Sequence, residues 1–179
     1  RRDGLATLRW LREQPWFDGR LAVSGPSYVG YASWAICDAP EVKAMSAKST
    51  AADFRPIVFP GGGFHLGLWL SWLQVVEGLR GLPLLFALKA RYGWVERRTE
   101  EVATKLPLED GDLRATGRRV KFWQRWFDQA IGNDLFWEPI DHRHRLGPAT
   151  APNLFVSGWY DFMLDPMLRD YGPLVAGGH

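Results

Sequence analysis

The sequence predicts an α/β protein, a parallel sheet with crossover helices that carries an inserted all-helical cap. Three observations carry that prediction. Short apolar runs at 21–23, 42–47 and 154–156, each closed by turn residues, have the length of buried strands. Helix-like segments precede and follow them at the spacing of crossover connections. Between residues 56 and 146 the strand pattern disappears and helical stripes replace it. The expected organisation is sheet core at 1–55, helical insertion at 56–146 and a return to the core at 147–179.

Taken in order, Leu5, Leu8, Trp10 and Leu11 form a helical stripe, and 14–19 (Gln-Pro-Trp-Phe-Asp-Gly) is a turn. A strand at 21–23 leads into a second helix, which Asp38-Ala39-Pro40 should end, and a second strand follows at 42–47. Gly61-Gly62-Gly63 opens the insertion as a flexible joint. Helices are expected over 66–79, 82–91 and 119–130, the last with Val120, Trp123, Trp126 and Phe127 on one face. Pro107 and the acidic run Glu109-Asp110-Gly111-Asp112 mark a loop among them. The last strand runs from Pro152 towards Gly158, and a helix follows over 164–175.

Composition narrows the classes of function. The 179 residues are 46% apolar and 23% charged, which suits one soluble globular domain. A net charge of +2 without a lysine or arginine block argues against nucleic acid. The single cysteine, Cys37, excludes an internal disulfide framework, cannot anchor zinc by itself, and is expected to be buried packing. No cofactor or metal is expected. Phe64 to Leu88 is the most apolar stretch, but Gln74, Glu77, Arg80 and Pro83 interrupt it, so no membrane span is expected. Ten tryptophans is a high count for this length; part must be core, and the excess also suits an aromatic-lined pocket. The chain opens on Arg1-Arg2-Asp3-Gly4 without an initiator methionine or signal peptide, so it is expected to be a piece of a longer protein. A cytoplasmic location is favoured, and homo-oligomers are left open.

The chemistry concentrates at Gly25-Pro26-Ser27-Tyr28-Val29-Gly30, between the first strand and the second helix. A serine on a sharp glycine-bounded turn there has the setting of a nucleophile elbow, with its hydroxyl clear of the sheet. Glycines keep side chains out of the space where strand and helix nearly touch. The helix start aims amides, that of Tyr28 first, at the place where an oxyanion would form. The general pattern wants glycine at 29, where valine stands, and the glycine comes one place later. A turn serine that merely caps the helix is the plainer reading.

Asp161 follows the last strand in Gly158-Trp159-Tyr160-Asp161, at the rim where open α/β sheets gather their functional groups. Serine first and acid later is the chain order of a hydrolase triad, although aspartates also cap helices. The histidines are expected elsewhere: His65 in a surface or packing role, His142 and His144 as polar loop residues, and His179 past a helix end rather than a strand.

Together, the elbow segment with Asp18-Gly19-Arg20, the segment Pro139-Ile140-Asp141-His142-Arg143, and Val156-Ser157-Gly158-Trp159-Tyr160-Asp161 resemble the X-prolyl dipeptidyl-peptidase/cocaine-esterase-like serine hydrolases. The resemblance implies an α/β-hydrolase core with a helical cap, and it accounts for the displaced glycine. It implies Ser27 as nucleophile, Asp161 as triad acid and the Tyr28 amide as an oxyanion donor. A second donor, a tyrosine hydroxyl, would lie upstream of Arg1, and the triad histidine downstream of this chain. Phe64, Trp69 and Trp72, with Trp159, are expected to line an apolar pocket over Ser27. The substrate is then a small ester, amide or short peptide. A peptidase also needs a carboxylate for the substrate amine, and Asp53, Glu77 and Asp165 are candidates by location. The rival readings are a non-catalytic module on the same fold and a different hydrolase of that superfamily.

Overall fold

The computed structural model describes residues 1–81, 83–130, 132–147 and 150–177. In chain order the elements are α1 (Arg2–Arg12), β1 (Leu21–Pro26), α2 (Ser27–Trp34), β2 (Val42–Lys48), α3 (Arg55–Val58), α4 (Leu66–Arg80), α5 (Pro83–Arg91), α6 (Trp94–Ala103), α7 (Gly111–Thr116), α8 (Lys121–Arg125), α9 (Asp134–Trp137), β3 (Asn153–Val156) and α10 (Leu164–Ala176). They form two compact units, one of residues 1–57 with 139–179 and one of 58–138.

The first unit is built on a parallel sheet in the order β1-β2-β3. Alternation along each strand sends Val23, Met45, Ala47 and Phe155 to one face, where Trp34, Cys37 and Leu174 from α2, the turn after it and α10 pack on them. Leu8 of α1 joins Ile36, Val42 and Ala151 in an adjoining cluster. Leu154 and Val156 point the other way and are 62% and 45% exposed. The expected stripe on α1 loses Trp10, which is exposed and meets Trp16 edge-on at 6.2 Å; Leu5, Leu8 and Leu11 face the core. The second helix ends at Trp34, well before Asp38. Beyond it the Ile36 and Cys37 amides reach back only three residues, to the Ser33 and Trp34 carbonyls, which tightens the chain into turns. Cys37 is wholly buried there, and burial pushes its thiol up to about 12, so the side chain serves as packing.

The second unit is all helical among its described residues. Phe64 sits among Phe59, Trp123, Trp126 and Phe127, and Trp69 lies edge-on to Trp126 at 4.7 Å. The long helix expected over 119–130 is broken. Val120 is extended, α8 is a short helix, and 126–130 continue as a wider π turn that keeps Trp123 and Trp126 buried. Gly61-Gly62-Gly63, expected as a flexible joint, belongs to a hydrogen-bonded turn in which Gly61 and Gly62 hold φ of 62° and 89°.

The acidic run expected as a loop is instead a 3₁₀ turn leading into α7, with Asp112 wholly buried. Its carboxylate accepts the amides of Leu113 and Val120 at 2.7 Å and the Gln124 side chain at 2.9 Å, and pairs with Arg119 at 3.3 Å. A buried carboxylate survives only where donors surround it, and here the donors come from both sides of the α7–α8 turn. Asp112→Ala would strand those buried donors. It is expected to cost about 3 kcal/mol, read as a fall in Tm of the full-length protein, with Asp112→Asn intermediate.

Candidate functional site

Ser27 stands where β1 becomes α2, with φ at +51°, a left-handed conformation unusual for a residue with a side chain. Pro26 before it is extended, so the chain turns within one residue. The turn is anchored from the neighbouring strand, because the Ser27 amide donates to the Ser49 carbonyl at 3.1 Å. The glycines are there for space. A Cβ on Gly30 would meet the Gly25 carbonyl and the Thr50 methyl at 2.6 Å each, and one on Gly25 would strike the Val29 side chain. Val29 can occupy the usual glycine place because its side chain lies over a residue that has none. Ser27 and Tyr28 are exposed. The Tyr28 amide is in the first turn of α2, where helix geometry supplies no intrahelical acceptor.

Asp161 lies in the turn after β3. Its Oδ1 accepts the Met163 amide at 2.9 Å and its Oδ2 the Ser157 hydroxyl at 3.0 Å. It therefore makes an Asx turn two residues ahead, and Met163 occupies the cap position of α10. Partial burial works against ionisation, but the nearby Ser49 side chain and the hydrogen bonds from the Met163 amide and Ser157 outweigh it and hold the carboxyl below its usual range. At neutral pH Asp161 is an anion with oriented donors. Beside it a cavity of about 400 Å³ is lined by Phe155, Ser157, Trp159, Leu164, Met167 and Tyr171. Trp159 is 89% exposed at its edge.

The other expected pocket residues belong to the second unit. Phe64 and Trp69 are part of its aromatic core, and Trp72 is exposed on α4. A separate cavity of about 460 Å³ in that unit is lined by Gln74, Glu77, Leu85, Phe86, Lys89 and Trp94. Of the carboxylates weighed for an amine, Glu77 pairs with Arg80 and Arg118 and Asp165 with Arg169. Asp53 is buried in the first unit and pairs with Arg143 at 3.0 Å.

Asp53 belongs to a buried polar cluster that the sequence did not reveal. His142, expected as a polar loop residue, is 4% exposed, with its ring 5.0 Å from that of Tyr31 on α2. Arg143 takes the solvent side with Asp141 and Asp53, which leaves the imidazole to pack inward. Burial and the nearby Arg145 lower the His142 pKa to about 4, so the ring is neutral at physiological pH. Asp170 of α10 is 1% exposed; one oxygen accepts the Ala52 amide at 2.6 Å and the other has no partner. Burial, against that one donor and with Asp53 nearby, pushes the Asp170 carboxyl up to about 7. Burial likewise raises Asp53, and raises Tyr31, whose hydroxyl donates to the Ile140 carbonyl. His65 is half-buried at the start of α4, His144 is exposed in a tight turn, and His179 lies outside the described residues.

The model of one family, the X-Pro dipeptidyl-peptidase (S15) family, matches residues 1–176 of this chain. The chain belongs to the X-Pro dipeptidyl-peptidase (S15) family. It is 29% identical over 182 residues to the cocaine esterase of Rhodococcus sp. (strain MB1 Bresler), a match covering 94% of this chain and 31% of that protein. It is also 27% identical over 158 residues to a tRNA dimethylallyltransferase of Novosphingobium aromaticivorans, across 75% of this chain and 54% of that protein. The S15 chain thus spans well under two thirds of either relative's length. Among the described residues, no group of three or more histidine, cysteine or acidic side chains is placed to hold a metal, and no helix is long and apolar enough to cross a membrane.

Two predictions follow from this geometry in the S15-family chain. Gly30→Ala forces a Cβ against the Gly25 carbonyl and the Thr50 side chain and should cost about 1–3 kcal/mol or more, read as a fall in Tm of the full-length protein. The buried cluster sets opposing pH dependences. Asp170 holds its proton in the folded chain up to about 7 but loses it near 3.8 when unfolded, so its contribution to stability falls as pH rises through that window. His142 is neutral when folded down to about 4 but protonates near 6.5 when unfolded, so its contribution falls as pH drops through that window. Asp170→Asn should therefore become more stable relative to wild type as pH rises from 4 to 7, by a difference on the order of 4 kcal/mol at most. His142→Gln should gain relative to wild type as pH falls from 6.5 to 4. Denaturant midpoints across pH 4–8 measure both.

Proposed function

We propose that this chain carries the nucleophile and acid of a serine hydrolase that cleaves an ester or amide bond through an acyl-enzyme. The observation that carries the reading is Ser27 held at positive φ between β1 and α2, with glycines at the two closest approaches. A serine on such a turn, at the start of a helix, is the arrangement nucleophilic acyl transfer needs. In the proposed mechanism a histidine oriented by Asp161 takes the Ser27 proton as the oxygen attacks the substrate carbonyl. The oxyanion that forms accepts the Tyr28 amide, the leaving group departs with the proton from the imidazolium, and water repeats the sequence on the acyl-enzyme. The ionised state of Asp161 supports its role, since an anion stabilises the imidazolium. Family membership and the name of the Rhodococcus relative support the ester or peptide-bond substrate class. The helical unit is proposed as the cap, and the cavity beside Trp159 as substrate pocket.

In the full-length protein, Ser27→Ala should abolish hydrolysis of a nitrophenyl ester and covalent labelling by a fluorophosphonate, while leaving Tm nearly unchanged. More than about a thousandth of wild-type turnover in the alanine variant would exceed what binding and oxyanion donors alone leave behind. Ser27 would then not be the nucleophile.

A further inference from the structure

Ser49, the residue that follows β2, has no motif around it, yet it touches both halves of the proposed site. Its carbonyl accepts the Ser27 amide at 3.1 Å, and its own amide donates to the Val156 carbonyl, at the end of β3, at 2.8 Å. Its side chain lies close enough to the Asp161 carboxylate to favour the charged form. Its φ is +43°, and with Ser27 it makes up the positive-φ residues other than glycine among the described residues. The two strained serines are thus bonded to one another across neighbouring strands. A left-handed backbone strains a residue with a side chain, and glycine would adopt it without strain. What serine supplies here and glycine does not is a hydroxyl beside Asp161.

We propose that Ser49 is a positioning residue that sets the distance and direction between the elbow serine and the acid, its backbone holding Ser27 and its hydroxyl holding Asp161. The inference rests on the assignment of Ser27 and Asp161 proposed above. Residues 50–52 brace it: Thr50 packs on Gly30, and the Ala52 amide is held by Asp170 while its carbonyl accepts the His142 amide. The strut is therefore fixed at its far end, and a displacement at residue 49 cannot be absorbed downstream.

The test uses the full-length protein and two substitutions that both tolerate positive φ. Ser49→Gly keeps the backbone and removes the hydroxyl; Ser49→Asn keeps the backbone and returns an N–H donor. Rates are referred to sites titrated with a fluorophosphonate, so a loss of folded protein does not count as a loss of rate. Ser49→Gly should lower kcat roughly 10- to 100-fold, the scale of a small misplacement of catalytic groups, with KM within about twofold. Phosphonylation of Ser27 should slow in step, and Tm should hold or rise because the strain is relieved. Ser49→Asn should recover most of the lost kcat. A glycine variant with kcat within twofold of wild type overturns the inference, as does a loss that asparagine leaves unrecovered. Parallel Ser27→Ala and Asp161→Asn variants separate the two levels. If both are inactive while Ser49→Gly is fully active, only the role of Ser49 falls; if either stays active, the site assignment falls and this inference with it.

Discussion

Everything at this site depends on how closely α2 approaches the end of β1. A chain that turns from strand to helix within one residue must place that residue at positive φ, and here the residue is a serine. The turn is possible because the first turn of α2 lies against the strand backbone with no side chain at Gly25 or Gly30 between them. Strain of this kind persists only where the surroundings over-determine it. The surroundings are the parallel register, which sets Gly25 beside Ala47 and brings the end of β2 level with Ser27, and the amide bond from Ser27 to Ser49. Sheet register and elbow geometry are one constraint viewed from two sides.

The second support is polar and buried. Residues 50–53 leave the sheet through a space enclosed by Tyr31 of α2, Asp170 of α10, and His142 with Arg143 from the segment before β3. Such a cluster is costly to desolvate and is tolerated because its charges are few. His142 is neutral at physiological pH, and the Asp170 carboxyl stays protonated to about 7. Asp53 keeps Arg143 as its counter-ion. The loop that carries Ser49 is in this way fixed by elements far apart in sequence.

That distance explains what the sequence disclosed and what it hid. The elbow was legible because its requirements are local: a strand, a serine and two glycines lie within a dozen residues, and the physics of the turn names the residue types. Asp161 was legible as a candidate for the same reason, since its Gly-Trp-Tyr-Asp context follows directly on a strand; the chemistry of both remains a proposal. Ser49, Asp112, His142 and Asp170 were not legible. Each is a polar residue in an unremarkable context, made significant only by partners across the fold. His142 read as solvated because arginine and aspartate surround it, and it was the pairing of Arg143 with Asp53 and Asp141 that freed the ring to turn inward. Likewise, the aromatic count pointed to a pocket, but Phe64 and Trp69 pack in the core of the helical unit, where burying large rings has an ordinary structural use.

Asp161 and Asp170 lie nine residues apart in one stretch of chain and illustrate how environment assigns chemistry to identical side chains. Asp161 is partly exposed and has donors on both carboxylate oxygens, from the Met163 amide and the Ser157 hydroxyl. The charged form is solvated in place, and the carboxyl titrates below its usual range. Asp170 is buried, with one donor and one oxygen left bare, so the protonated form is favoured. The first, ionised and partly exposed, has the charge suited to a cation beside it; the second braces the Ala52 amide. Had the donors been distributed the other way, the buried aspartate would carry the charge, away from the surface where Ser27 is exposed. The placement of a few hydrogen-bond donors, rather than the aspartates themselves, decides which of the two is available for chemistry.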